Sequence, residues 1–176
     1  MVHFDNVHLS YSYFNEETKW KIFKIDHLLV KNNFIFVIET KNWNIPSYFD
    51  INKNIWYQYH GDKKIKLQSP IEQNKSHIYN LKKMLEKDKI NLDNIFIINI
   101  IVIVQNNLTI LKNENNKLSD NNVVINLTEL ENEIFKYSKK SSFFEDNKNI
   151  NIIVMSILNK NKIENIEKHK KQLNYK

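Results

Sequence analysis

KIDHLLVKNNFIFVIETK, residues Lys24–Lys41, holds two apolar runs, Ile25–Val30 and Phe34–Ile38, on either side of Asn32-Asn33. Asparagine tolerates the left-handed backbone that a two-residue hairpin loop demands, so this pair is predicted to turn between two antiparallel strands. The register follows by arithmetic: Lys31 faces Phe34, Leu28 faces Val37, and Asp26 faces Glu39. Opposed residues on such a pair lie about 4.5–5.5 Å apart at Cβ and share a face. Side chains alternate along a strand, which puts Lys41 on the face of Glu39. Asp26, Glu39 and Lys41 are thus expected to converge at the open end of an otherwise apolar hairpin.

Two carboxylates held this close repel each other, and partial burial pushes one pKa upward. A divalent cation removes the conflict, since Mg²⁺ is held by one or two carboxylates together with phosphate oxygens and water. A lysine beside such a metal orients or deprotonates an attacking water, or steadies charge on a phosphorane-like transition state. A plainer alternative stands next to this one. Asp26 and Glu39 sit at strand ends in water, with Lys24 and Lys41 as their ion-pair partners.

At 176 residues the chain is long enough for one domain with a core and too short for two comfortable ones. Cysteine is absent, which excludes disulfides and cysteine-ligated zinc and is compatible with a reducing cytoplasm, the expected location. The start, MVHFDNVHLS, lacks the basic-then-apolar order of a signal peptide. The longest apolar run, Ile95–Val104, is broken by Asn99 and falls far short of the roughly 20 residues a membrane helix needs. No membrane partner is expected. The net charge of +6 suits a polyanionic partner. Every basic residue is lysine, however, and heavy use of Asn, Ile and Lys is what an AT-rich genome imposes on any protein. Lysine binds phosphate as a point charge, so nucleic-acid contact is expected to be backbone-directed and salt-sensitive.

Before the hairpin, Val2–Phe14 alternates in the manner of one strand or a bent pair, and Asn15–Lys19 is expected to be a polar turn. After it, Asn42–Tyr48 reads as a loop marked by Pro46, followed by a short hairpin of Phe49–Ile51 and Ile55–Tyr59. Trp56, Tyr57 and Tyr59 are expected to cover a sheet face rather than stack on bases. Ser69-Pro70-Ile71-Glu72 is the clearest helix start: Ser69 caps, Pro70 suits the first position and Glu72 completes a capping box. Ile71, Ile78, Leu81 and Leu85 then form one stripe to about Lys87. Gln73 lies in the first turn, and His77, one turn on, is assigned to packing or surface. The β-branched run Ile95–Val104 is a strand buried on both faces, and a helix leading into it implies a parallel crossover. Leu108–Leu111 is an edge strand, Lys112–Asn122 a polar loop and Val123–Asn126 a short strand. A capped helix opens at Thr128 and runs to about Tyr137, followed by a basic turn at Lys139–Ser142. Ile150, Ile153, Val154, Ile157 and Leu158 are spaced as a helix, and a last short helix is expected after Ile163. The expected whole is one α/β domain over 1–176, with a mixed sheet, a core at 20–137 and C-terminal helices at about 147–172.

Four blocks of sequence now bear on the family. They are IDHLLV (Ile25–Val30), FVIETKNW (Phe36–Trp43), Trp56, and SPIEQNKSHIYNL (Ser69–Leu81). In this order they resemble the nuclease-related domain family of the restriction-endonuclease-like PD-(D/E)xK superfamily. Asp, then Glu-x-Lys, then Gln at a helix start is far more specific than the acidic and lysine residues alone. The resemblance implies a restriction-endonuclease-like mixed β-sheet core with flanking helices. It implies Asp26 and Glu39 as metal ligands, with the Thr40 carbonyl as a third oxygen. Lys41 would activate or orient water, and Gln73 would support the site from its helix. The implied activity is hydrolysis of phosphodiester bonds in DNA with Mg²⁺, or Mn²⁺ in its place. A homodimer is compatible with the superfamily, whose members often pair to cut both strands. Members usually carry a helix before the first strand, often with a glutamate near the site, and here the sequence opens on the strand itself. That departure keeps a second expectation alive, a catalytically weak or inactive module on the same fold that binds nucleic acid or docks a partner.

Overall fold

The computed structural model describes residues 1–13, 16–51, 53–111, 121–140 and 148–161, with side chains described outside 10–22 and 138–149. Nine strands are described: β1 (Val2–Tyr13), β2 (Glu16–Lys31), β3 (Phe34–Lys41), β4 (Ser47–Asp50), β5 (Ile55–His60), β6 (Lys63–Leu67), β7 (Phe96–Ile103), β8 (Leu108–Leu111) and β9 (Asn122–Asn126). The helices are α1 (Pro70–Lys87), α2 (Leu130–Lys140) and α3 (Lys148–Lys160). Among the described residues they form two mixed sheets, β1-β2-β3-β7-β9 and β6-β5-β4-β8. The architecture is that of a restriction-endonuclease-like core.

The β2–β3 hairpin turns at Asn32-Asn33 with Asn32 at φ 51°, the left-handed conformation asparagine tolerates. Its register runs from Lys31↔Phe34 through Leu28↔Val37 to His27↔Ile38, and stops there. The expected pair Asp26↔Glu39 is therefore not part of the ladder. Beyond Ile38, β3 stays paired only on its other side, where Glu39, Thr40 and Lys41 run parallel to Ile101, Val102 and Ile103 of β7. The β3–α1–β7 crossover supplies the parallel neighbour that the helix-then-strand order implies.

Asp26 leaves the ladder because β1 and β2 break phase together. Phe4, Val7 and Leu9 of β1 and Phe23, Ile25, Leu28 and Val30 of β2 all face one core. Strict alternation cannot place Phe4 with Val7, nor Ile25 with Leu28, on one face. Both strands skip at the same level, between the pairs Asp5↔His27 and Val7↔Ile25. Asn6 occupies the skip in β1 at φ 47°, and Asp26 occupies it in β2. The paired skip keeps the register but re-aims a side chain, and here the side chain is a carboxylate.

One face of the first sheet packs on α1 and α3 through Leu81, Met84, Leu85, Ile153 and Ile157. The other face takes Leu130, Ile134 and Tyr137 of α2. The second sheet closes a third cluster, in which Phe49, Trp56 and Ile71 meet Ile101, Ile103 and Val124. Trp56 and Tyr57 are buried in covering their sheet, and Tyr59 is exposed.

Several boundaries differ from the sequence expectation. Glu16–Lys19 belong to β2 rather than to a polar turn. Ser47 and Tyr48 belong to β4 rather than to a loop, because they pair with β5 and β8. The strand β6 was not foreseen; it pairs with β5 across Gly61-Asp62, with Gly61 at φ 62°. The helix expected from Thr128 begins as a 3-10 turn at Leu127–Glu129, where Asn126 N–H donates to Glu129 Oε2 at 2.8 Å. Lys139 and Lys140 lie inside α2 rather than in a turn. The loop at 112–120, residues 141–147 and the last helix expected after Ile163 lie outside the described residues.

A buried asparagine pair fixes α1 against the sheet. Asn74 of α1 donates from Nδ2 to Val37 O and to Asn99 Oδ1, both at 2.8 Å. Asn99, the interruption in the apolar run of β7, donates to Ile71 O at 3.3 Å and to Asn122 Oδ1 at 2.8 Å. Both side chains are buried, so these bonds satisfy groups that water cannot reach. Asn74→Leu is expected to cost about 1–3 kcal/mol, because it strands Asn99 Oδ1 without a donor and takes the side-chain donor from Val37 O. Urea unfolding of the variant beside the parent measures this directly.

Candidate active site

Glu39, Lys41 and Gln73 make a closed triangle of hydrogen bonds. Lys41 Nζ donates to Glu39 Oε1 at 2.6 Å and to Gln73 Oε1 at 3.0 Å. Gln73 Nε2 donates to the same Glu39 Oε1 at 2.8 Å. Glu39 and Lys41 are two apart on β3 and share a face, as alternation requires. Gln73 reaches them from the first turn of α1, which Ser69 caps and the Asn74–Asn99 pair anchors. Glu39 is only 3% exposed, so it does not sit in water as the plainer alternative had it. Burial raises its pKa above the ordinary glutamate value; Lys41 opposes the rise, and the charge of Asp26 adds to it.

Asp26 takes a different set of partners. Its Oδ2 accepts from Thr40 N–H at 3.1 Å and from Thr40 Oγ1 at 3.0 Å. The carboxylate thus fills the place of the ladder partner that Thr40 lost when β2 and β3 parted. Its Oδ1 lies 3.1 Å from Lys24 Nζ. Burial works to raise the Asp26 pKa, but the Thr40 hydrogen bonds and Lys24 outweigh it and hold the carboxyl below its ordinary value. Thr40 reaches Asp26 through its amide and hydroxyl, a role distinct from the carbonyl ligand that the resemblance implies.

His77 also belongs here, with Nε2 3.8 Å from Glu39 Oε2. Sequence reasoning assigned it to packing or surface. The available signal was its position four residues after Gln73, on the same face of one helix. Lys24 entered that reasoning only as a counter-ion, and it does pair with Asp26. The structure therefore brings Glu39, Lys41 and Gln73 into direct contact and sets Asp26 with Thr40 and Lys24 beside them.

The donor set suits a hard cation. Two carboxylates from neighbouring strands feel each other's charge, and one of them is buried with a raised pKa, so a bound cation would relieve both conditions.

A mixed sheet with its acidic and lysine residues where β2 and β3 part, closed by a helix carrying Gln73, defines a restriction-endonuclease-like protein. The family model described as nuclease-related domain matches residues 2–104, more than half of the chain, and the chain belongs to that family. Neither a curated protein nor a solved structure matches it. No helix among the described residues is long and apolar enough to cross a membrane.

Proposed function

We propose that the protein is a metal-dependent nuclease that hydrolyses phosphodiester bonds in DNA, with Asp26, Glu39, Lys41 and Gln73 as its working residues. The observation that carries this reading is Glu39, a nearly fully buried carboxylate held by Lys41 and Gln73 beside a second carboxylate. A fold does not bury such a group without cost, and catalytic sites are where perturbed carboxylates concentrate.

Asp26 and Glu39 would hold Mg²⁺, or Mn²⁺ in its place, with the Thr40 carbonyl offered as a further oxygen. When bound, the cation supplies Lewis-acid stabilisation of the phosphate and a water of lowered pKa. The chain's residues do the rest. Lys41 presents an ammonium to the charge that develops on the phosphate oxygens as water attacks in line and the P–O bond to the leaving oxygen breaks. Gln73 accepts from Lys41 while donating to Glu39, so the lysine is oriented before substrate arrives. Lysines on the surface supply backbone-directed attraction to DNA, which weakens as salt rises.

Cleavage of supercoiled plasmid by the purified chain tests the reading. Nicking is expected with Mg²⁺ or Mn²⁺ and is expected to disappear with EDTA. No nicking by folded protein with either metal overturns it.

One observation favours a second reading. Each carboxylate already has a lysine partner, Lys24 on Asp26 and Lys41 on Glu39. A module neutralised in this way needs no metal. It would bind DNA with a salt dependence but with equal affinity in Mg²⁺ and in EDTA.

A further inference from the structure

The opposite face of the same strands carries a separate cluster. His3 and Asp5 are two apart on β1, and His27 of β2 is the cross-strand partner of Asp5. Alternation and pairing thus set all three on one face. Their polar atoms converge: His27 Nδ1 lies 2.5 Å from Asp5 Oδ1, and His3 Nε2 lies 3.2 Å from the same oxygen. The two imidazoles stack, with centroids 5.8 Å apart and planes at 26°. One ligand atom from each residue lies within 4.8 Å of the other two.

We propose that His3, Asp5 and His27 form a second metal site, which takes a borderline transition metal such as Zn²⁺ and is distinct from the oxygen-lined site at Asp26 and Glu39. Three donors around a tetrahedral Zn²⁺ bound at about 2.0–2.2 Å stand roughly 3.4 Å apart, so the observed spacings need only small side-chain adjustments. Two imidazole nitrogens and one carboxylate oxygen are a set that Zn²⁺ and Co²⁺ accept and that Mg²⁺ does not favour. The backbone ladder fixes the donors in advance, so little ordering opposes binding. All three side chains are partly or well exposed, which leaves the remaining coordination position to water. The cluster spans β1 and β2 one residue from Asp26, so the ion would tie the outer strand to the strand that carries that carboxylate. This inference does not depend on the proposed nuclease activity.

The test is Co²⁺ titration of the full, untagged chain in excess Mg²⁺, followed by visible absorption and repeated with Zn²⁺ as competitor. A single saturating site with the intense bands of low-coordinate Co²⁺ is expected, bleached by Zn²⁺. His3→Gln and His27→Gln are each expected to weaken it by at least about 10–100-fold, the loss seen when even outer partners of a metal ligand are removed. Glu39→Gln is expected to leave it intact. Zn²⁺ is also expected to raise the melting temperature of the parent but not of the double histidine variant. Absent or non-saturating Co²⁺ binding overturns the proposal. So does binding that survives in the double histidine variant, or that is lost in Glu39→Gln, since the ion then occupies the other site.

Discussion

Glu39→Gln is expected to abolish metal-dependent plasmid cleavage, lowering it by at least about 100-fold, while the folded state survives. Glutamine keeps the volume of the side chain and an oxygen that accepts from Lys41 and Gln73, but it removes the charge that would hold the cation. Its effect on stability runs the other way. Folding raises the Glu39 pKa, so the folded chain binds that proton more tightly than the unfolded chain does. The stability this contributes is fully present below the ordinary glutamate value and is lost as pH rises through the raised one. The glutamine variant escapes that loss. Its melting temperature is expected to equal or exceed the parent's at pH 8, with the gap closing on acidification. A variant that cleaves as well as the parent would remove Glu39 from the chemistry.

Lys41→Met is expected to lose cleavage as well and, unlike the glutamine change, to lose stability. It leaves Glu39 buried with Gln73 as its remaining hydrogen-bond donor from the triangle. Breaking a fully buried pair by removing one member costs about 3–5 kcal/mol. The Lys41 side chain keeps 20% exposure, so a loss of about 2 kcal/mol is the expectation here. Thermal unfolding should show a drop of roughly 4–8 °C at neutral pH. The drop should shrink at low pH, where Glu39 takes up a proton and no longer needs the ammonium. Equal melting of variant and parent at neutral pH would mean that the Lys41–Glu39 bond contributes nothing to the fold.

The two carboxylates should leave opposite marks on acid stability. Asp26 has its pKa lowered, so its contribution is present above the ordinary aspartate value and lost as pH falls through the lowered one. Glu39 contributes in the reverse sense.

Much of this was legible in the sequence because it is local. The turn at Asn32-Asn33 depends on two residues, and the register of β2 and β3 then follows by counting. The start of α1 is written in Ser69-Pro70-Ile71-Glu72, and its end at Lys87 in the stripe of Ile71, Ile78, Leu81 and Leu85. What was not legible depends on distant partners. The skip at Asp26 needs a matching skip at Asn6 on another strand, and counting along the hairpin alone places Asp26 opposite Glu39. Strand β6 is an edge of alternating lysines with only Ile65 and Leu67 as apolar residues, so its hydrophobic signal is faint. Gly61-Asp62 was the local clue to it, as a two-residue loop. The second sheet was unseen for the same reason, since β4, β6 and β8 are short, and β8 joins the sheet only through its parallel pairing with β4. His77 was assigned to packing or surface although its place one helical turn after Gln73 was legible, because nothing local shows that Glu39 comes within reach of it.

The hydrogen bonds of the site differ in how much chain they enclose. Asp26 and Thr40 are separated by 14 residues across a tight turn, whereas Glu39 and Gln73 are separated by 34 and meet only when α1 docks. Contacts that enclose more chain cost more closure entropy and depend on more of the structure being in place. A partial opening that lifts α1 from the sheet would leave the hairpin and its Asp26–Thr40 link intact, yet would open Glu39 and Lys41 to water. Amide exchange at the start of α1 therefore reports on whether the site is armed. Exchange within β2–β3 reports only on whether the scaffold stands.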